Sequence, residues 1–409
     1  MLAPPLTVRT HPATLLSTAR AVRDFGDGFA AVLLPVHLVR LGLGPSEIGA
    51  IATAALLGSA LCTMLIGAYG NRLGERRILL GASALMAATG IGFAYVTSTW
   101  GLVAMAFVGT LNPQVGNASI FSPPEHALLS RSVEPSSRTS AFARYGLIGA
   151  LAAAAGSLAA ASPDGLVHLG MTQAAAFRLM FLAYAVIGIG VGVVYLGLST
   201  SDAAEQRKTA TPLGPSRAIV VKLAALFSLD SFGSGLVVQS LLALYLYERF
   251  DLSLAATGLF FFWSSVLTAF SQPLAAWLAA RIGLVNTMVF THIPANLFLM
   301  LGAVVPSLPI ALACLLARAF LSQMDVPARS SYVMAVVTPP ERTAAASFTA
   351  VPRTLAAALG PAIAGILLAT GWLALPLLLG GALKIVYDLL LLYAFSHIKP
   401  PEEQDAERL

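Results

Sequence analysis

Arg23-Asp24-Phe25-Gly26-Asp27-Gly28 sets three charged residues inside an apolar stretch, roughly Leu15 to Val39, that reads as a membrane-spanning helix. At ~1.5 Å of rise per residue, Asp24 lies ~14 Å into that span, near the middle of a hydrocarbon layer ~30 Å thick. Charges at that depth are costly, so they face a water-filled cavity or a partner and mark an ion or substrate pathway. The chain then repeats the arrangement. Leu229-Asp230-Ser231-Phe232-Gly233-Ser234-Gly235 begins about as deep in another apolar span, 206 residues on (230 − 24). Two intramembrane aspartates in matching halves point to transport through a central cavity.

Working outward, the composition agrees. The 409 residues are 57% hydrophobic and 11% charged, against ~25% charged in soluble domains, which excludes a soluble globular class. Apolar runs long enough to span recur throughout. The first half reads as Leu15–Val39, Ser46–Tyr69, Ile78–Val96, Gly101–Leu129, Ser140–Ala161 and Ala176–Leu198. The second reads as Ala218–Tyr247, Ala255–Ala280, Leu284–Val305, Ile310–Val337, Thr343–Thr370 and Leu373–Phe395. The expectation is an all-α polytopic membrane protein of twelve transmembrane helices in two six-helix bundles, residues 1–199 and 217–398. A polar linker at 200–216 joins them, and a charged tail follows at 399–409. The first span carries its own charges and lacks the plan of a cleaved signal peptide, so it is expected to stay in the mature chain. Cys62 and Cys314 fall inside apolar spans, and neither a disulfide nor metal-ligand spacing is expected.

Loop charges set the expected orientation. Arg72, Arg76, Arg77, Arg131, Arg138, Arg207, Lys208, Arg217, Arg281 and Arg342 share one side, and the other holds little beyond Arg40, Arg178 and Arg249. Both termini are therefore expected in the cytoplasm, with the protein in a bacterial inner membrane. The same bias accounts for the net charge of +5 without a nucleic acid partner. Glu134-Pro135-Ser136-Ser137-Arg138-Thr139-Ser140-Ala141 realigns with Thr338-Pro339-Pro340-Glu341-Arg342-Thr343-Ala344-Ala345 at an offset of 204 (342 − 138). Pro123 meets Pro327 and Gly156 meets Gly360 at that offset; Gly28 meets Gly235, and Gly74 meets Gly283, at slightly larger ones. Two halves of equal orientation make a parallel repeat.

Between spans two and three stands Gly67-Ala68-Tyr69-Gly70-Asn71-Arg72-Leu73-Gly74-Glu75-Arg76-Arg77. It resembles the signature loop of the major facilitator superfamily, with Asn71 at the usual aspartate position and Glu75 replacing a common basic residue. The resemblance implies a conformational latch, formed here by Gly67, Gly70, Asn71, Arg72, Gly74, Arg76 and Arg77, that joins the two halves in the outward-open state. The aspartate normally faces a helix N-terminus, where negative charge is favourable; Asn71 can hydrogen-bond there without the charge. The drug–proton antiporters of the superfamily usually carry an arginine on helix four, where this chain has Asn112. Gly360-Pro361-Ala362-Ile363-Ala364-Gly365 is similar to their glycine-proline motif but lies on helix eleven rather than five.

In that superfamily helices one, four, seven and ten line the cavity, and the intramembrane charges fall largely on them. Asp24 and Asp27 stand on one, Glu125 on four, Asp230 on seven, and Arg318, Asp325 and Arg329 on ten, with Arg144 and Arg353 on five and eleven. These nine are the candidate substrate and proton-coupling residues; no catalytic or metal-binding set is expected. Plainer roles compete. Asp325 with Arg329, and Lys384 with Asp388, can pair along one helix face, as can Arg20 with Asp24. Arg23 can snorkel to the interface, and His37 and His292 read as core histidines. Glu125 and Arg144 are similar in type and place to a pair in the sugar–proton symporters.

The expected function is alternating-access secondary transport of a charged or polar small solute, proton-coupled, by a monomer in the lipid bilayer without a cofactor. Export of a divalent metal and facilitative uniport stand as alternatives. A membrane enzyme or sensor belongs to another class. The sequence holds no HExxH, GxSxG or phosphate-cradling glycine loop for the first and no attached soluble domain for the second, so no enzymatic activity is expected.

Overall fold

A computed structural model describes residues 12–111, 119–134, 138–198, 214–338 and 341–397, and these form helices without a strand. The first half comprises α1 (Pro12–Arg40), α2 (Pro45–Leu73), α3 (Glu75–Tyr95), α4 (Thr99–Val108), α5 (Ser122–Ser132), α6 (Arg138–Ala159), α7 (Ser162–His168) and α8 (Gln173–Leu196). The second comprises α9 (Arg217–Gly235), α10 (Gln239–Phe250), α11 (Leu254–Ile282), α12 (Leu284–Val304), α13 (Leu308–Leu321), α14 (Asp325–Val336), α15 (Arg342–Ala369) and α16 (Leu375–Phe395). Among the described residues, ten segments are long and apolar enough to cross a membrane. The fourth span, α4 with α5, and the first, α1, bring the plan to twelve. α1 has the length but carries five charges, Arg20, Arg23, Asp24, Asp27 and Arg40.

Three spans that read as continuous in the sequence are broken near their middles. The fourth divides into α4 and α5, the seventh into α9 and α10, and the tenth into α13 and α14. Proline sets two of the breaks. Pro123 and Pro124 stand in the first turn of α5 and Pro327 in the first turn of α14, where a missing N–H leaves no helical bond unmade. The seventh span breaks after Gly235.

The duplication is visible in the packing. α1 lies along α6 as α9 lies along α15, and α3 lies along α8 as α12 lies along α16. Glycines let the first two pairs approach. A Cβ on Gly156 would fall 3.0 Å from the Phe25 Cα, and one on its counterpart Gly360 would fall 2.7 Å from the Leu236 nitrogen. The halves meet where α2 packs on α15 and α6 on α11. A Cβ on Gly49 would sit 2.9 Å from the Gly365 Cα, and one on Gly258 would sit 3.3 Å from the Ser157 carbonyl carbon. The Ala362 N–H donates to Thr53 Oγ1 across the first of these seams at 2.8 Å.

One apolar core fills the first half and crosses to the second at the end far from the termini. It joins Phe29, Leu33 and Val36 of α1 to Leu241 and Tyr245 of α10 and Phe260 of α11. The terminal end of the second half has its own core, around Phe227, Met288, Tyr332 and Phe395. Among the described residues, the shared apolar core of the halves lies at the far end, and the second half's core at the terminal end is a separate cluster.

Candidate functional site

The first half buries an ion network built from four helices. Arg23 of α1 donates through Nη1 to Glu125 Oε2 of α5 at 2.9 Å, and its Nε lies 3.3 Å from Asp24 Oδ1. Arg20 pairs with Asp24 one turn away, as their spacing predicts. Tyr195 of α8 donates its hydroxyl to Glu125 Oε1 at 2.6 Å, and Tyr145 of α6 donates to Oε2. The Arg23 guanidinium lies 4.6 Å from the centre of the Phe121 ring. With Arg23 1% exposed and Glu125 fully buried, Arg23 does not snorkel; a buried charge demands this density of partners.

The second half holds a larger network. Asp230 of α9 accepts from Arg329 Nη1 of α14 at 3.0 Å and lies 3.1 Å from Lys384 Nζ of α16. Arg329 also reaches Asp325 at 3.0 Å, the expected pair along one helix. The other expected pair is split: Lys384 turns to Asp230 and to Ser234 Oγ (2.7 Å), while Asp388 turns to His292 Nδ1 of α12 (2.9 Å). His292 Nε2 lies 3.7 Å from Asp230. His292 is buried as a core histidine, its ring hydrogen-bonded to Asp388 and facing Asp230 on the other side beyond hydrogen-bond reach. Asp230, without an opposite charge within one turn on its own helix, takes its partners from three others.

Aligned through Gly28 and Gly235, both packed on the paired helix of their half, the two networks correspond with their signs exchanged. Arg23 takes the place of Asp230, at an offset of 207, and Glu125 takes the place of Arg329, at 204. A cation on the first span faces an anion on the fourth; an anion on the seventh faces a cation on the tenth. Asp27 likewise matches Ser234, so Tyr184 to Asp27 (2.9 Å) mirrors Lys384 to Ser234. Asp24 and Asp230 are thus one position out of register, and Arg23 is the counterpart.

Most of the predicted site residues pair inside their own half. Asp24, Glu125, Asp230, Asp325 and Arg329 are all consumed in this way. Four are not. Asp27 is partly exposed, accepts from the Tyr184 hydroxyl, and enters no ion pair among the described residues. Arg318, in the last turn of α13 beside the break, has a buried Nε without a hydrogen-bond partner among the described residues. Arg353 of α15 is partly buried and Arg144 of α6 is exposed; neither has an ion-pair partner among the described residues.

The loop after α2 is described in part. The side chains of residues 67–73, and so the expected contacts of Gly67, Gly70, Asn71 and Arg72, lie outside the described residues. Gly74 has φ 77° and its counterpart Gly283 has φ 86°, a left-handed turn that only glycine enters freely. Arg76 donates to the Leu196 carbonyl at 2.9 Å, Glu75 pairs with Arg131, and Arg77 is exposed. These contacts all stay within the first half. Between the halves, Glu341 ties the tenth–eleventh connection to the end of the linker. Its carboxylate accepts from Gly214 N, from Ser216 N at 3.2 Å and from Thr338 Oγ1 at 2.7 Å. Donors from Ser216, Gly214 and Thr338 pull this carboxyl, outside the spans, down to about 2.

Similarity to known proteins follows the same lines. A membrane protein of Saccharomyces cerevisiae is 24% identical over 93% of this chain and 93% of its own length. The fold matches the nucleoside transporter NupG with a TM-score of 0.73 at 13% identity, covering 95% of this chain and 100% of that one. It matches an inward-facing bacterial homolog of the human lysosomal transporter Spinster at 0.69 and 15% identity, over 96% of each. The human organic anion transporter MFSD10 matches at 0.62 and 19%, over 95% of this chain and 100% of that one. The profile of the Major Facilitator Superfamily covers residues 16–291 and 223–408. With two sets of six spans, a repeat that recurs in the packing, and a profile running through both halves, the chain is a transporter of the major facilitator superfamily.

Proposed function

We propose that the chain moves an anionic small solute by alternating access, coupled to protons taken up at Asp27. The observation that supports this is the set of charges left over once each half has made its ion pairs. Asp27 alone among the acidic candidates keeps an accessible surface without a cation. Among the described residues, Arg318 and Arg353 make no ion pair in the second half. An unpaired guanidinium inside a membrane is costly unless it faces water or a ligand of opposite charge, so these two are the solute's contacts. A carboxylate held by a phenol, with no fixed cation to neutralise it, is the group that gains most from carrying a proton while the halves exchange access. The core shared at the far end belongs to one of the two states this requires; parting there and meeting at the terminal end is the other. We place both termini in the cytoplasm, which cysteine labelling at Asp251 from outside checks.

Vesicles with an imposed pH gradient test the coupling. Asp27→Asn should lose gradient-driven accumulation or efflux and keep solute exchange, which needs the cavity but no net proton movement. Wild-type gradient-driven flux in that variant would remove Asp27 from the role.

A further inference from the structure

The break in the seventh span leaves a helix start in the middle of the membrane. α10 begins at Gln239, just after Leu236-Val237-Val238, and runs from there to the far end. The Leu242 N–H is the first to find a helical acceptor, the Val238 carbonyl at 2.9 Å, so the N–H groups of Gln239, Ser240 and Leu241 have no helical acceptor. Val238, in the capping position, has no side-chain oxygen to offer them. The turn is nevertheless buried, with Val238 1% and Ser240 and Leu241 2% exposed. A second group adds to the demand. Ser240 Oγ is buried and makes no hydrogen bond among the described residues. Side chains on a helix lean toward its N-terminus, so this hydroxyl stands with the free N–H groups. Buried donors without an acceptor are costly, and the whole turn lacks one from the chain itself.

We infer that the first turn of α10 is an oxyanion site, where the carboxylate or phosphate group of the solute accepts from the N–H groups of Gln239, Ser240 and Leu241 and from Ser240 Oγ. This rests on the anionic-solute reading for the class of ligand, and it adds to the arginines a contact whose charge comes from the backbone. The aligned peptide dipoles of a helix place about half a positive charge at its start, and free N–H groups gathered there hold carboxylates and phosphates. Such a partial charge is lighter to leave empty inside a membrane than a further guanidinium would be. Gln239 is partly exposed and marks the side from which the solute reaches the turn. The starts of α5 and α14, at the other two breaks, carry an acid of their own in the first turn, Glu125 and Asp325, and prolines that lack an N–H. α10 has neither. An anion bound there holds α10, the part of the seventh span that packs on α1 across the halves, so binding bears directly on the contact at the far end.

Thermal unfolding of the purified full chain at neutral pH and constant ionic strength tests this, with sodium acetate, inorganic phosphate and sodium chloride as the probes. Acetate or phosphate should raise Tm to a plateau, as a ligand of the folded state does, and chloride should not. Ser240→Ala should move the half-effect concentration up by about tenfold or more, the worth of one hydrogen bond to a charged group. Ser240→Asp gives the turn an acid of its own, as α5 and α14 have. It should unfold no lower than the wild type without added anion and should ignore acetate and phosphate. No rise with either oxyanion in the wild type, or an equal rise with chloride, would overturn the inference. So would a Ser240→Asp chain that is less stable and still responds to the oxyanions. A response that both Ser240 variants keep and Arg318→Gln removes would sink this site while leaving the anionic-solute reading in place. Flux is not read, so the outcome is independent of the coupling at Asp27.

Discussion

Separating Arg23 from Glu125 should cost much more than a surface ion pair, and the two ways of doing it should not cost the same. The side chains are 2% and 0% exposed, so solvent screens neither, and removing one member of such a pair costs about 3–5 kcal/mol. Glu125→Gln leaves Arg23 with Asp24 still 3.3 Å away, which puts it near the low end. Arg23→Gln leaves the Glu125 carboxylate with two phenol hydroxyls and no cation, which puts it near the high end. At ~2 °C per kcal/mol for a chain of this size or larger, the apparent Tm in detergent should fall by ~6 °C and ~10 °C respectively. The joint change Arg23→Glu with Glu125→Arg should recover most of the loss, because the second half already uses that polarity at the equivalent positions. Recovery stops short of complete, since the new carboxylate stands beside Asp24. A double variant as unstable as Arg23→Gln would refute the claim that the opposed charges, rather than packing, hold these helices together.

Two further expectations follow from contacts at the seams. Glu341 has a folded value of about 2, below the ordinary glutamate value of ~4.3. Its stabilisation is complete above the ordinary value and lost as pH falls toward the folded one; Glu341→Gln should therefore flatten the acid side of the Tm–pH curve between roughly 4.3 and 2 and leave neutral pH slopes alone. Gly258→Leu forces a side chain against Ser157 and should cost about 1–3 kcal/mol of overpacking, read as a lower Tm with slower transport; unchanged values for both would mean that α6 and α11 do not meet closely in the membrane.

The spans, the repeat and the pairs Arg20–Asp24 and Asp325–Arg329 were legible in the sequence because each depends on hydropathy or on neighbours within a helical turn. The long-range pairs were not. Arg23 and Glu125 lie 102 residues apart and Arg329 and Asp230 lie 99 apart, and which faces meet depends on how each helix is rotated in its bundle. His292 gave no local sign of its role, since both carboxylates that bracket it come from other helices. The register of the repeat also misled at one point: matching aspartate to aspartate paired Asp24 with Asp230, whereas the glycine contacts pair Arg23 with it. The seventh break was hidden because apolar residues, Leu236-Val237-Val238, continue through it; at the fourth and tenth, polar residues and Pro123, Pro124 and Pro327 mark the interruption in the sequence.

The exchange of signs between the halves also bears on how the chain sorts its helices as it assembles. Two bundles descended from one plan present each other with near-identical docking faces, and a span from one half can be mistaken for its counterpart. Here the mistake repels. The first span entering the second half's place would bring Arg23 against Arg329, and the seventh entering the first half's place would bring Asp230 against Glu125. Like charges meeting out of water are among the most unfavourable contacts a helix can make in a bilayer. Each buried pair therefore acts as an address, admitting the helices of its own half and turning away their twins.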